Sequence, residues 1–120
     1  MILNTEELSS GIAEVVRRYG IEQLGIRPGS ISVDIHNRSV IVTLEGVSHP
    51  AEVDLSRERL SREMVEKMYV EMFNISKSVL YLRLENVLGR TVDRSFFAIE
   101  SEYGDAVIVL FFLTAFENVR

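Results

Sequence analysis

The chain has 120 residues, no cysteine, a formal net charge of −5 and a pI near 5.0. Its length predicts one domain, residues 1–120. The lack of cysteine excludes disulfide frameworks, thiolate zinc sites and cysteine nucleophiles. Negative charge disfavours nucleic acid as a partner, because its phosphates would be repelled. No charged leader precedes an apolar segment, and the longest apolar run, residues 106–113, is far shorter than the roughly 20 residues of a membrane-spanning helix. We therefore expect a cytoplasmic protein that does not insert into the membrane.

The first predicted element is a short amphipathic helix. Asn4 can cap its N-terminus, and acidic residues in the first turn suit the positive end of the helix dipole. One apolar stripe follows at helical spacing, and Gly20 is expected to end the helix. The stripe consists of Leu8, Ile12, Val15, Val16 and Tyr19.

A β-hairpin is predicted next. Ile31, Val33 and Ile35 alternate with polar residues, which is the period of a strand with one solvated face, and this pattern places His36 on that face. Residues 40–44 continue the alternation after a tight connection at Asn37-Arg38. Pro50 then ends the strand region.

A long helix is the central predicted element. It is expected to begin between Asp54 and Ser61, with Ser56 as a candidate cap, and to end at Gly89. From Ser61 to Leu88 it would be about 42 Å long, which equals or exceeds the diameter of roughly 35 Å expected for a compact domain of this size. The helix must therefore project from the body or kink, and residues 74–78 are its weakest helix formers.

Two apolar stripes run along this helix. The methionine stripe is Met64, Met68, Met72, Ile75, Val79 and Leu82, and the aromatic stripe is Val65, Tyr69, Phe73, Leu80 and Val87. We expect the methionine stripe to pack on the sheet, although methionines can also form an adaptable partner-binding surface. The first helix is too short to cover the aromatic stripe along its whole length. We therefore predict a homodimer whose interface is formed by part of the aromatic stripe, namely Val65, Tyr69, Phe73 and Leu80.

The last two predicted elements are strands. Residues 96–99 alternate in orientation, a turn follows at residues 103–105, and residues 106–113 form a strand that is apolar on both faces and so is expected to be covered on both faces. The order α-β-β-α-β-β predicts an α+β domain: a four-stranded, mostly antiparallel sheet packed with a long central helix and a short N-terminal helix.

Several short motifs resemble a bacterial domain family named after MpsC, a component of a sodium-translocating, membrane-potential-generating system. The resemblance covers the first helix to about Leu113 and includes an acidic residue late in the third strand. The motifs are Gly25-x-x-Pro28, Leu44-Glu45-Gly46, Gly46-Val47-x-x-Pro50-Ala51-Glu52, Leu88-Gly89-Arg90, Glu100 and residues 107–111.

The chain departs from the family pattern at Ser48-His49 and at Arg27, where the family tends to have Leu-Thr and glycine. His49 is therefore not supported as a common functional residue. The resemblance implies association with membrane ion or inorganic-carbon uptake systems, but it carries no catalytic residues, and a shared fold does not transfer function.

The densest group of titratable side chains lies around Pro50. His49, Glu52 and Asp54 could hold a metal or move protons, but a metal site usually needs three or four ligands. A capping role for Glu52 near the helix start is the simpler interpretation. A ligand pocket between sheet and helices would be lined by Pro50, Glu52 and Glu100.

The leading hypothesis is a non-enzymatic accessory protein, homodimeric through the long helix, with a membrane-transport protein as a further partner. It predicts no catalytic residue, no metal and no cofactor. One alternative is a small-molecule-sensing regulatory domain that uses the Pro50, Glu52 and Glu100 pocket. The other is a small acid-base enzyme that uses His49 and Glu52.

Overall fold

The computed structural model describes residues 4–116. Four helices and four strands follow one another along the chain, and one helix is a short π-helical turn. They are α1 (Thr5–Tyr19), the π-helical turn (Gly20–Leu24), β1 (Ser30–His36), β2 (Ser39–Glu45), α2 (Pro50–Leu55), α3 (Arg59–Leu88), β3 (Val92–Glu100) and β4 (Asp105–Phe112).

The strands form one antiparallel sheet with the order β1-β2-β4-β3. β1 pairs with β2 and β3 pairs with β4 as two hairpins. The hairpins are joined by pairing of β2 with β4, where Val42 lies opposite Ile108. Asn37 adopts a positive φ of 58° in the turn between β1 and β2, a conformation that asparagine tolerates better than most residues. The predicted α+β class, the hairpin and the four-stranded sheet are confirmed.

Local signals place α1 correctly. Asn4 Oδ1 accepts a hydrogen bond of 2.8 Å from the Glu7 backbone N–H, and the five residues of the predicted stripe are the buried ones. The α-helix ends at Tyr19 with Gly20 as its C-cap, as predicted, although Gly20 does not adopt a left-handed conformation. Gly20 is buried with a helical φ of −59°, and the chain continues as the π-helical turn up to Gly25, whose φ of 67° ends it. Glycine adopts this left-handed conformation without steric cost.

The long helix begins at Arg59, inside the predicted range of Asp54 to Ser61, but its predicted cap is wrong. A separate short helix, α2, comes first, and its C-cap is Ser56, while Glu58 is the N-cap of α3. Ser56 is therefore not the predicted N-cap. From Arg59 onward α3 runs for 30 residues without a break and ends at Gly89, whose φ is 65°. The molecule is 47 Å long, so the helix of about 45 Å spans its whole length.

The core lies between α1, α3 and one face of the sheet. Three members of the aromatic stripe, Tyr69, Phe73 and Leu80, are at most 3% exposed within the single protomer, and Val65 packs partly buried against the core. Phe73 stacks on Phe97 with ring centroids 5.2 Å apart. The prediction that Val65, Tyr69, Phe73 and Leu80 await a second subunit is therefore wrong, because the sheet and α1 already cover them.

Four of the six members of the methionine stripe are exposed, contrary to expectation, whereas Met72 packs partly buried against the core. Ile75 is 83% and Leu82 60% exposed, and Met64 and Met68 are exposed as well. The sheet could cover only one side of α3, and it covers the side that bears the rings.

The sheet also has an open face, which we call the outer sheet face. The prediction that β4 is covered on both sides is wrong, because α1 and α3 pack on the other face of the sheet and no helix of residues 4–116 covers this one. Phe96 is 59% and Ile41 41% exposed there. From β1 to β3, the outer sheet face consists of Ser30, Ser32, Asp34, His36, Ser39, Ile41, Thr43, Glu45, Asp105, Val107, Val109, Phe111, Arg94, Phe96, Ala98 and Glu100.

Candidate functional site

Glu52 is the centre of the predicted site, and its carboxylate is occupied by the protein itself. Its Oε1 accepts the His49 backbone N–H at 3.1 Å, and its Oε2 accepts the Tyr69 hydroxyl at 2.7 Å. Pro50 is the first residue of α2, a position that needs no N–H donor. The capping role inferred for Glu52 is confirmed.

Burial extends the pH range in which the Tyr69 hydroxyl stays protonated. Removal from water raises the pKa of the Tyr69 hydroxyl above its usual value, and the hydrogen bond to Glu52 raises that pKa further. A neutral phenol donates its hydrogen to the carboxylate throughout the physiological range. The pair therefore fastens α2 to α3.

The residues predicted to act with Glu52 lie elsewhere. Asp54 is exposed and pairs with Arg57 at 3.4 Å, and the His49 side chain is exposed. Within residues 4–116, no group of three histidine or acidic side chains is arranged to hold a metal ion. His49, Glu52 and Asp54 thus do not converge on one cleft.

Glu100 and Glu52 face different sides of the sheet. Glu100 lies on the outer sheet face, where it lines a shallow depression of about 190 Å³ with Asp105 and Thr43. Glu52 is bonded to Tyr69, which lies in the core on the helical side. The predicted pocket of Pro50, Glu52 and Glu100 is therefore not formed.

A buried polar cluster that the sequence did not indicate lies beside Glu52. Ser56 Oγ donates to Ser101 Oγ at 2.6 Å. Ser101 in turn donates to Glu66 Oε2 from its backbone N–H at 2.9 Å and from its hydroxyl at 3.1 Å. Both serines are fully buried. Because 35 to 45 residues separate these partners, no local pattern could have revealed them.

The buried cluster connects three parts of the chain. Arg62 donates to the Ser56 carbonyl oxygen at 3.1 Å and contacts Glu102 at 3.4 Å. The end of α2, the first half of α3 and the turn between β3 and β4 are thereby joined. Every hydroxyl has its acceptor inside the protein, so the cluster organises structure and presents no nucleophile to solvent.

A cleft of about 560 Å³ opens between α1 and α3. Arg83 lies in its wall, and the Arg83 Nη2 pairs with Glu22 at 2.5 Å. The Arg83 Nη1 is buried and has no hydrogen-bond partner among residues 4–116. The lining residues are Glu14, Val15, Arg18, Glu22, Arg83, Asn86 and Val87.

Residues 4–114 match the family model described as "Na+-translocating membrane potential-generating system (MpsC)". No curated protein matches the chain, and no solved structure does. Within residues 4–116, none of the helices combines the length and the apolar content needed to cross a bilayer.

Proposed function

Because the chain belongs to the MpsC family, we propose that it is a non-catalytic accessory protein of a Na+-translocating membrane system. In this proposal it works in the cytoplasm as a homodimer joined through α3. The family's description supports the sodium system. The proposal of a non-catalytic role is supported by Glu52, whose carboxylate oxygens both accept hydrogen bonds within the protein.

The observation that supports the dimer is the methionine stripe, four of whose six members are exposed. From Met68 onward its members follow at intervals of four, three, four and three, up to Leu82. This is the heptad spacing with which two helices pack side by side. Ile75, near the middle of α3, is the most exposed of them at 83%. A second α3 is a partner with the same length and the same pattern.

The strength of this contact can be bounded. Full burial of one large apolar side chain contributes about 1.5–3 kcal/mol, and Met64, Ile75 and Leu82 are each more than half exposed. Two copies would bury these side chains twice, against an association cost of about 4–15 kcal/mol. A dimer that persists at low micromolar concentration needs a net gain of about 8 kcal/mol, so we expect it to bury these six side chains almost completely.

The test is the molar mass of the purified protein by sedimentation equilibrium. The wild type is expected to be a dimer at low micromolar concentration, and Ile75→Glu a folded monomer. Asn74→Glu is the matched control, because it adds the same charge at an exposed neighbouring position outside the stripe. A monomeric wild type, or equal loss in both variants, would contradict the dimer.

The link to the membrane system has its own test. The tagged protein is purified from detergent-solubilised membranes of its source cell, beside an unrelated tagged protein of similar size, and bound proteins are identified by mass spectrometry. Enrichment of integral membrane subunits that translocate Na+ is expected. Recovery of the same proteins with both baits would contradict the proposal.

A second candidate function is small-molecule sensing, and the cleft between α1 and α3 favours it. The unpaired Nη1 of Arg83 is a donor that a carboxylate could satisfy. A ligand that binds only the native state raises the melting temperature. In a screen of small carboxylates, at least one compound should raise the melting temperature of the wild type but not that of Arg83→Met. If no compound raises the melting temperature of the wild type, this candidate is contradicted.

A further inference from the structure

The outer sheet face is arranged in four rows that cross all strands. The strand register places the residues of each row side by side. From one end to the other, the rows are Ser30-Glu45-Asp105-Glu100, Ser32-Thr43-Val107-Ala98, Asp34-Ile41-Val109-Phe96 and His36-Ser39-Phe111-Arg94. The face thus has one acidic end, a mainly apolar middle and an end that bears Arg94.

The acidic end lacks a positive partner. Glu45, Asp105 and Glu100 are direct neighbours across three strands, and like charges placed opposite each other destabilise a sheet. None of the three forms an ion pair with another of residues 4–116. A cation supplied from outside would relieve this repulsion.

The opposite end carries such a cation. The Arg94 guanidinium lies 4.3 Å from the centre of the Phe111 ring, and although Arg94 also pairs with Asp93, its side chain remains 52% exposed. Arg94 and Glu100 lie on the same strand, three rows apart. A face with opposite charges at its two ends is complementary to a copy of itself turned end to end.

We propose that the outer sheet face binds the outer sheet face of a second copy of this chain, independently of α3. The two-fold axis runs across the strands between the two middle rows. Each strand then lies antiparallel to its equivalent, and Arg94 meets Glu100 of the second copy twice, once on each side of the axis. The alternative axis, along the strands, would stack the acidic rows on each other.

The apolar middle fits the same arrangement. Turning the face end to end places each middle row over the other one. Ala98 then lies opposite Phe96, so that a small side chain faces a large exposed one, and Val107 lies opposite Val109. Interdigitation of this kind is what allows two sheets to pack about 10 Å apart.

The dimensions of the face predict a weak contact. The four rows span about 20 Å along the strands, and the four strands span about 14 Å across the sheet. The area of the face, about 280 Å², is well below the roughly 800 Å² per partner of a standard interface. The valines are already half-buried by their neighbours, which leaves less surface to remove from water than the methionine stripe offers. Association is therefore expected at hundreds of micromolar, where it would join α3 dimers into larger assemblies.

The test uses Ile75→Glu as the background, so that any remaining association does not depend on α3. Sedimentation equilibrium at high concentration should show dimers. Arg94→Glu and Glu100→Arg should each weaken them by about tenfold, and the two together should restore the original affinity. Arg59→Glu is the control for charge reversal at an exposed position of α3 that is not part of the outer sheet face, and it should leave the affinity unchanged. Melting temperatures confirm folding.

The absence of native cysteine permits a second measurement. A variant with both Arg94→Cys and Glu100→Cys should give covalent dimers with a thiol cross-linker of about 10 Å, the spacing of packed sheets. Either replacement alone should give none. A monomeric background protein, failure of the charge swap to restore affinity, or equal cross-linking by Glu100→Cys alone would overturn the proposal. Dimers that persist in Ile75→Glu and respond to Arg94→Glu would support it even if the α3 dimer proved wrong.

Discussion

The Tyr69 hydroxyl donates a hydrogen bond of 2.7 Å to Glu52 Oε2, joining the first half of α3 to the first turn of α2. Tyr69 is 3% exposed and lies in the core, whereas Glu52 is only partly buried. The bond therefore lies where the core meets the surface. It is a direct side-chain link between Glu52 of the predicted site and the core.

Replacing Tyr69 with phenylalanine removes this bond and keeps the ring. We expect the free energy of unfolding to fall by about 1–3 kcal/mol, because Glu52 loses a donor and its charge is hydrogen-bonded less well. Urea denaturation followed by circular dichroism measures the change. Tyr103→Phe is the control, since Tyr103 is exposed and such a surface change is expected to stay within about 0.5 kcal/mol. Equal stabilities for wild type and Tyr69→Phe would contradict the prediction.

Tyr69 also makes stability depend on alkaline pH. Burial raises its pKa in the folded state, and burial raises the pKa of Tyr19 as well. The unfolded chain therefore releases these protons first, above the ordinary tyrosine pKa near 10. Below that pH the contribution to stability is complete, and it is lost as the pH rises toward the folded-state pKa, by up to about 1.4 kcal/mol per pH unit for each group. Urea unfolding between pH 9 and 11 should show the decline, and Tyr69→Phe should make it shallower.

Replacing either of the two buried serines with alanine should lower the free energy of unfolding, but by different amounts. Ser101→Ala removes the acceptor of Ser56 and a donor of Glu66, so a fully buried hydroxyl is left unsatisfied, at a cost of about 1–3 kcal/mol. Ser56→Ala leaves Ser101 bonded to Glu66 and should cost less. The double variant should be no less stable than Ser101→Ala alone. Urea unfolding of the three variants tests this order, and additive losses would show that the two hydroxyls are not coupled.

Neighbouring positions on α3 should differ sharply. Phe73 is fully buried and stacked on Phe97, so Phe73→Ala should cost about 3–5 kcal/mol through lost contacts and a cavity. Ile75 points to solvent in the protomer, and Ile75→Ala should change the stability of the monomer by no more than about 0.5 kcal/mol. Thermal and urea unfolding of dilute protein measures both. A large loss for Ile75→Ala under those conditions would mean that the methionine stripe is covered.

The elements of this fold could be predicted because their signals are local. Asn4 followed by acidic residues starts α1, and the alternation in residues 31–45 specifies the hairpin. The role of Glu52 was also local, since its partner, the His49 N–H, is three residues away. Such short-range geometry is determined by the residues themselves.

The orientation of α3 could not be predicted, because both of its stripes are apolar. Tertiary contacts determine which stripe of α3 faces the sheet. Phe73 fits against Phe97 and, edge to face, against Tyr19 with ring centroids 6.2 Å apart. Ser76, on the same side, shares a hydrogen bond of 2.6 Å with the Tyr19 hydroxyl. These contacts join residues that are up to 57 positions apart, and they favour burial of the aromatic stripe over the methionine stripe. The spacing of apolar residues cannot predict this choice, because both stripes have helical spacing.

The unbroken α3 connects the two ends of the molecule. Its first half is held by Ser101 and Glu66 near the turn between β3 and β4, and its far end carries Arg83, paired with Glu22 beside α1. Between these two points Tyr69, Phe73, Leu80 and Leu84 are buried in the core. One continuous helix therefore ties the β3–β4 turn to the α1 side of the molecule, and a disturbance at either end has to be absorbed by the same core packing.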